Sequence, residues 1–576
     1  MHKAHAHADA VDALGDFTAT RRLVLISVLA IGIGLVGALL AKGLLSLIAL
    51  ATNLFFFGRL STASVTPADA DLGLWIVAIP VLGGLIVGLM ARYGSERIRG
   101  HGIPEAIEAI LMNGSRVQPR VALLKPLSSA ISIGSGGPFG AEGPIIMTGG
   151  AFGSVIAQFF HLTSAERKTL LVAGAAAGMS ATFASPVAAV LLAVELLLFE
   201  WKPRSFVPVA LASVAAAAAR RSLLGLGPLF PVPPHPSFIG ATGLAGCVFA
   251  GLLAGALSAA LTAAVYASED AFARLPIHWM WWPALGGLAI GAGGWLFPQA
   301  LGVGYETIGA LVQGDVPSGI LVGILVVKAA IWSISLGSGT SGGVLAPLLM
   351  MGGALGGVEA WVLPDLGAGF WPLVSMGAIL GGTMRAPLTG VIFALELTHD
   401  INMLLPLLIA VSMAHAFTVL VLKRSILTEK IARRGYHLSR EYSIDPLEIL
   451  FAREVMTGNI VALPVDAPLA QLATHVRVDP LGRPQRLYPV VSANGALAGV
   501  VTRFDLRELA HRAAAGDARA QLATILRPAP TVAHPDEPLR AVVHRMADTG
   551  LTHFPVVERG PIQRLVGMIS LEDLLK

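Results

Sequence analysis

Between Pro126 and Phe160 the only formally charged side chain is Glu142. It stands in Gly140-Ala-Glu-Gly-Pro144, shortly after Ser132-Ile-Gly-Ser-Gly-Gly-Pro138. An ionisable side chain in so apolar a stretch is costly, and such residues face a pore or watery cavity and mark ion or proton paths. The competing role is structural: pairing with Lys125 or capping a helix. The surroundings favour chemistry. Glycine-rich turns leave backbone N–H groups accessible, and Pro144 suits the first turn of a helix. A helix N-terminus carries partial positive charge and unpaired donors, so it holds an anion without a full cation. Far along the chain, Thr502-Arg-Phe-Asp505 and Ser570-Leu-Glu-Asp573 each place a carboxylate three residues after a hydroxyl, which by itself is a helix N-cap.

The elements that must position Glu142 are repeated. Ser132–Ser154 and Ser335–Gly357 align without a gap at a constant offset of 203, with 11 of 23 positions identical. The same offset pairs Lys125 with Lys328, and an offset of 201 pairs Ser185–Leu196 with Ala386–Leu397, including Glu195 with Glu396. The second copy of the glutamate segment, Gly342-Gly-Val-Leu-Ala-Pro347, supplies a second helix start, so two helix ends are expected to aim at one ion. Repeats of this kind in membrane proteins commonly have inverted topology, with the site at the midplane where broken helices meet. The paired lysines and the paired Glu195 and Glu396 are expected to anchor structure.

Composition fixes the setting. The chain is 55% hydrophobic and 13% charged, against roughly 25% charged in soluble domains. Six stretches long enough for about 30 Å of hydrocarbon lack Asp, Glu, Lys and Arg: Leu23–Ala41, Leu72–Ala91, Thr169–Val194, Ser237–Ser268, Trp279–Tyr305 and Met403–Leu422. The first is long and lacks a small-residue cleavage site, so a span rather than a signal peptide is expected. Arg21–Arg22 before the first and Lys423, Arg424, Lys430, Arg433 and Arg434 after the last place both termini in the cytoplasm by the positive-inside rule. Frequent Gly and Pro predict short, broken, tilted helices around a cavity. Cys247 is the only cysteine, so neither an intrachain disulfide nor a cysteine metal site is expected. His2, His5 and His7 in a terminal tail carry no expected metal. The thin net charge of +4 does not indicate nucleic acid. The membrane part offers no acidic cluster for hard cations and no nucleophile–base constellation for an enzyme.

Of the 76 Asp, Glu, Lys and Arg residues, 36 lie beyond Leu422, where the pattern changes to short β/α units. Tyr488-Pro-Val-Val491 leads to Gly499–Leu506, and Phe554-Pro-Val-Val557 leads to Gly567–Leu574. Each reads as strand, turn, strand and capped helix. These two sections resemble a tandem pair of CBS domains.

The membrane motifs resemble the signatures of the chloride channel/transporter (CLC) family. Gly100-His-Gly-Ile-Pro104 looks like its first signature, Gly140-Ala-Glu-Gly-Pro144 its second and Gly343-Val-Leu-Ala-Pro347 its third. Together, in order, on a repeated membrane domain followed by paired CBS domains, they cover nearly the whole chain. The resemblance implies a mainly α, polytopic membrane protein of two inverted repeats of tilted, broken helices, plus a cytoplasmic α/β CBS pair. The expected plan is a cytoplasmic segment 1–22, a transmembrane domain 23–438 with halves about 23–222 and 237–422, a linker 439–453, and CBS domains 454–515 and 524–576. It implies a homodimer with a pore in each subunit, in a cell membrane and, by expectation, a bacterial inner membrane. The transported ion would be chloride or a similar small inorganic anion, contacted near His101, Gly102, Ile103, Ala141, Glu142, Gly143, Val344 and Leu345. Glu142 falls on the gating glutamate, which competes with the anion when ionised and swings away when protonated. No cofactor is required. An adenine nucleotide at the CBS pair would be held near Thr502, Asp505, Ser570 and Asp573.

Three departures bear on mechanism. The serine of the first signature is His101, which can donate a hydrogen bond and titrate. The family's central tyrosine meets Ser425-Ile-Leu427, which leaves Leu427 without a hydroxyl. The internal proton glutamate of well-studied exchangers falls on Leu196, with Glu200 one helical turn further. The expected function is thus a passive, voltage- or pH-gated chloride channel regulated by its CBS domains, with chloride/proton antiport as the alternative.

Overall fold

The computed structural model describes residues 21–435, 447, 450–468, 485–515, 517 and 521–574. His2, His5 and His7, and the expected linker apart from residues 447 and 450–453, lie outside the described residues. The chain divides into a membrane unit, Met1–Arg440, and a C-terminal unit, Glu441–Lys576.

Among the described residues, six helices are long and apolar enough to cross a membrane: Arg22–Phe57, Trp75–Tyr93, Pro203–Leu223, Ala241–Ala273, Ser318–Gly337 and Ile401–Arg433. Four of the charge-free runs correspond to these, and two do not. Thr169–Val194 is split: one helix ends at Phe183, Ala184 turns the chain with φ +57°, and a second helix opens at Pro186. Trp279–Tyr305 holds a single turn at Trp279–Trp281, the 15-residue helix Trp282–Leu296, a turn at Pro298–Ala300 and the start of another helix at Tyr305. Absence of charge reports burial from water and not backbone direction, and proline without an N–H starts a new helix. Conversely, Ser318–Gly337 spans with Lys328 inside it, because the Lys328 ammonium donates to the Ala300 and Gly302 carbonyls at 2.9 and 2.8 Å.

Close helix crossing depends on missing side chains. Helices Glu142–Gln158 and Ser164–Phe183 meet where a Cβ on Gly149 would lie 2.2 Å from the Gly174 carbonyl, and one on Gly174 2.1 Å from that of Gly149. Small residues of this kind let backbones pack in lipid, where dispersion replaces the hydrophobic effect.

The halves are related by inversion. Gly140 and Gly343, equivalent under the offset of 203, form an antiparallel bridge with each other. Two equivalent residues running past each other in opposite directions require a local twofold between them. The same symmetry governs two glutamates. Glu396 accepts the Val187 and Ala188 amides at 2.9 and 2.8 Å, capping helix Pro186–Leu192. Glu195 accepts the Leu388 and Thr389 amides at 3.2 and 2.9 Å, capping helix Pro387–Thr398. Each half therefore caps a helix of the other.

In the C-terminal unit, strand Leu487–Val491 pairs antiparallel with Leu497–Thr502, and His553–Val557 with Leu565–Ser570. Both pairs shift register between the last two residues of their first strand. Two apolar clusters, around Tyr488 and Val501 and around Phe554 and Val542, form the cores.

Candidate functional site

Three short-motif segments converge as helix starts. Helix Ile103–Met112 opens after Gly102, whose φ of +91° favours glycine, and the Glu105 carboxylate accepts the Gly102 amide at 2.9 Å. Helices Glu142–Gln158 and Leu345–Glu359 open at the second and third motifs. Lys125 is fully buried and does not pair with Glu142. Its ammonium donates to the Ile98 and Gly100 carbonyls at 2.9 and 2.7 Å and to the Ser341 hydroxyl at 3.0 Å, tying the first motif to the third. A Cβ on Gly143 would fall 1.9 Å from the His101 carbonyl and 3.2 Å from Gly343 Cα. The motifs thus touch backbone to backbone.

The Glu142 side chain lies in the middle of this contact. It is 0% exposed, and neither carboxyl oxygen has a hydrogen-bond partner among the described residues. A Cβ on Gly140 would stand 1.7 Å from Oε2, and one on Gly343 2.8 Å from it. The carboxyl group occupies a cradle formed by two symmetry-related glycines. The amides of Glu142 and Ala346, one from each half, face it without meeting hydrogen-bond geometry. A negative group held by helix starts with no cation committed to it can be exchanged for another small anion.

A cavity of about 460 Å³ opens on one side, with His101 and Gly100 among its lining residues. His101 is buried, and its Nδ1 has no partner among the described residues. The Lys430 ammonium meets Glu105 at 2.7 Å, and the Arg99 guanidinium lies over the Trp279 ring at 4.5 Å. Five basic and four acidic side chains line the cavity, so its charge is nearly balanced and discrimination falls to the helix starts.

Leu196 and Leu427 are both fully buried and bring no titratable group. Glu200, in the loop between Leu198 and Pro203, receives the Ser205 hydroxyl at 2.6 Å. Lys168, Lys202 and Arg204 surround it at 3.8, 3.7 and 3.8 Å. Burial alone would favour its neutral form, but Lys168, Ser205 and the other two cations outweigh it and hold the carboxyl below its ordinary range. An ionised, cation-ringed carboxylate is poorly suited to carrying protons.

In the C-terminal unit Thr502 and Asp505 form a reciprocal cap: the Thr502 amide donates to Asp505 Oδ2 at 3.0 Å and the Asp505 amide to the Thr502 hydroxyl at 3.1 Å. Arg527 donates to the other Asp505 oxygen at 3.1 Å. Ser570 and Asp573 repeat the cap, with the Ser570 hydroxyl 2.6 Å from Asp573 Oδ2.

Sequence reasoning missed Ser341, which receives Lys125, and Tyr305, whose buried hydroxyl has no partner among the described residues. The repeat offset carried the signal for Tyr305, since it stands where the first half has Ile103.

Comparison with known proteins agrees with this geometry. A family described as voltage-gated chloride channel matches residues 83–419, and the CBS domain family matches residues 452–512 and 522–576. The H(+)/Cl(-) exchange transporter ClcA of Salmonella paratyphi B is 31% identical over 364 residues, 60% of this chain and 76% of that protein. A slow cyanobacterial Cl-/H+ antiporter of known structure superposes with a TM-score of 0.63 at 23% identity, over 72% of this chain and 99% of that one. A eukaryotic CLC transporter gives 0.59 at 19% identity, over 96% and 98%. With its motifs on converging helix starts, its halves inverted and its family domains in this order, the chain belongs to the CLC family of chloride channels and transporters, membrane proteins that carry anions.

Proposed function

We propose that the protein passes chloride or a similar small anion through a path gated by Glu142. The observation that carries this reading is the unpartnered carboxyl group lodged between Gly140 and Gly343, where it stands in for an anion at two helix starts. Ionised, the carboxylate competes for the cradle; protonated, it loses that advantage and leaves. His101–Ile103, Ala141–Gly143, Val344 and Leu345 supply the lining. Passive conduction is supported by Leu196, which interrupts the internal proton route, and by the ring of cations around Glu200. Coupled antiport is the second reading, favoured by the exchanger name of the ClcA relative.

The assembly expected is a homodimer with one pore per copy in a cell membrane, the bacterial inner membrane by expectation. Both termini face the cytoplasm in this reading, which Arg21–Arg22 and the basic segment Lys423–Arg434 support. The CBS pair regulates and does not form the pore, with an adenine nucleotide held near Thr502, Asp505, Ser570 and Asp573.

The deciding experiment is the reversal potential of the full chain in liposomes under crossed chloride and pH gradients. Passive conduction leaves the potential at the chloride value whatever the pH gradient, and antiport moves it with the pH gradient. In the same liposomes, Glu142→Gln should keep anion flux and lose most of its pH dependence between about pH 4 and 7. Retention of that dependence would assign the gate to another group.

A further inference from the structure

The repeat pairs a second set of helix starts, Gly102-Ile103 with Gly304-Tyr305, at an offset of 202. Both glycines have positive φ, +91° and +79°. In each half a buried lysine fastens the preceding loop through two carbonyls, Ile98 and Gly100 for Lys125, Ala300 and Gly302 for Lys328. The first of these starts borders the cavity beside His101. Its counterpart, the helix Tyr305–Gln313, has no part in the path described so far.

Inversion sets that counterpart on the other side of Glu142. Gln313 reaches the Pro231 carbonyl at 3.2 Å, in the segment that precedes helix Ala241–Ala273. That helix is 33 residues long, or about 50 Å at 1.5 Å per residue, and its far end, at Tyr266 and Glu269, lines the cavity. The Tyr305 helix therefore belongs to the face opposite the cavity.

The Tyr305 ring meets Phe183 edge-on, with centroids 6.3 Å apart, and Phe230 at 6.2 Å. Its hydroxyl oxygen is buried without a partner among the described residues, a costly state for a donor. Under the inversion Tyr305 adjoins the Leu345 helix start as Ile103 adjoins the Glu142 start: a Cβ on Gly304 would lie 3.0 Å from the Met350 sulfur, and one on Gly102 3.3 Å from Met147 Cβ. At the seam between those two starts lies the Glu142 carboxyl, which also lacks a partner among the described residues. Two complementary buried groups, each unsatisfied, complete each other when the carboxyl leaves its cradle away from the cavity.

We propose that the Tyr305 hydroxyl receives the Glu142 carboxyl when it leaves the Gly140 and Gly343 cradle, which makes Tyr305 a positioning residue for the gate. This rests on the reading of Glu142 as gate. The hydroxyl donates to a carboxyl oxygen, so no proton changes owner.

The test is chloride efflux from liposomes holding the full chain, across about pH 4 to 8, for the wild type, Tyr305→Phe, Glu142→Ala and the double variant. Tyr305→Phe keeps the ring and its contacts with Phe183 and Phe230. It should lower flux at the acidic end roughly two- to tenfold, the range expected for one hydrogen bond, and move the pH midpoint. In the Glu142→Ala background, where no carboxyl remains to be received, it should change nothing. An equal loss in both backgrounds, or no change in the wild-type background, overturns the assignment of Tyr305. Wild-type pH dependence surviving in Glu142→Ala overturns the gate itself, and with it the role of Tyr305.

Discussion

Gly140 and Gly343 hydrogen-bond to each other twice, amide to carbonyl at 3.1 Å in one direction and 2.8 Å in the other. Each is the other's counterpart in the repeat, so the pseudo-twofold passes between them. The Glu142 carboxyl rests against this pair, on the seam where the halves share backbone.

Replacing the two glycines separates the gate from the seam. The three atoms nearest a Cβ on Gly140 all belong to the Glu142 side chain, whereas a Cβ on Gly343 would lie 2.5 Å from the Gly140 carbonyl. Gly140→Ala should evict the carboxyl, raise anion efflux at neutral pH severalfold and flatten its pH dependence while the protein stays folded. Gly343→Ala should lose the bridge and lower the melting temperature in detergent. Equal effects of the two on efflux and melting would show that the cradle does not hold the gate.

His101 sits between two glycines with its Nδ1 unpartnered and its carbonyl against Gly143. In His101→Ser the smaller hydroxyl should leave the backbone path in place, so flux persists and the ratio of chloride to nitrate permeability changes. Bi-ionic reversal potentials read that ratio. An unchanged ratio would return the histidine to packing and leave anion choice to the amides.

Glu195→Ala and Glu396→Ala each remove a carboxylate that caps two amides in the opposite half. The loss should be about 1–2 kcal/mol for each variant, with Glu195→Ala at the larger end because Glu195 also accepts the Thr389 hydroxyl at 2.6 Å. Thermal unfolding in detergent measures it. A large loss for one variant and none for the other would mean that the symmetry of the bonds is not a symmetry of energies.

At the CBS pair Arg527 donates to Asp505 at 3.1 Å, so under the proposed nucleotide reading it would compete with a ribose for that carboxylate. Arg527→Ala should tighten calorimetric binding of adenine nucleotides by the full chain, and Asp505→Ala with Asp573→Ala should abolish it. Partial burial alone would raise the Asp505 pKa, but its bonds with Thr502 and Arg527 win and depress it. A depressed carboxyl stabilises the fold above its unfolded pKa of about 3.9, and that contribution is lost as pH falls through the folded value. Amide exchange protection of helix Arg503–Ala514 should weaken accordingly below about pH 4, and less so in Asp505→Asn. Protection indifferent to pH would remove Asp505 from the stability of this helix.

Much of this arrangement was legible because repetition and isolation are properties of sequence. Glu142 announced itself as one charge in an apolar stretch, and the offset of 203 located the second helix start. Inversion was not legible, since identity between Ser132–Ser154 and Ser335–Gly357 carries no direction; the antiparallel bridge supplies it. The break at Ala184 was hidden because apolar residues continue on both sides of it. Lys328 concealed a span, as its charge is satisfied by two carbonyls that only folding brings near. Tyr305 was masked by its place at the end of an apolar run, where an aromatic reads as ordinary, and by the slip of the offset from 203 to 202.

The reciprocal bonds of Glu195 and Glu396 are those of an isologous contact, in which residue i touches j and j touches i, drawn inside a single polypeptide. Synthesis makes the first half while the amides of Val187 and Ala188 still await Glu396, and Glu195 still awaits Leu388 and Thr389. The first half thus enters the bilayer with its final hydrogen bonds owed to residues not yet translated. The two halves are accordingly expected to mature as one cooperative unit, closed only once helix Pro387–Thr398 of the second half is in place.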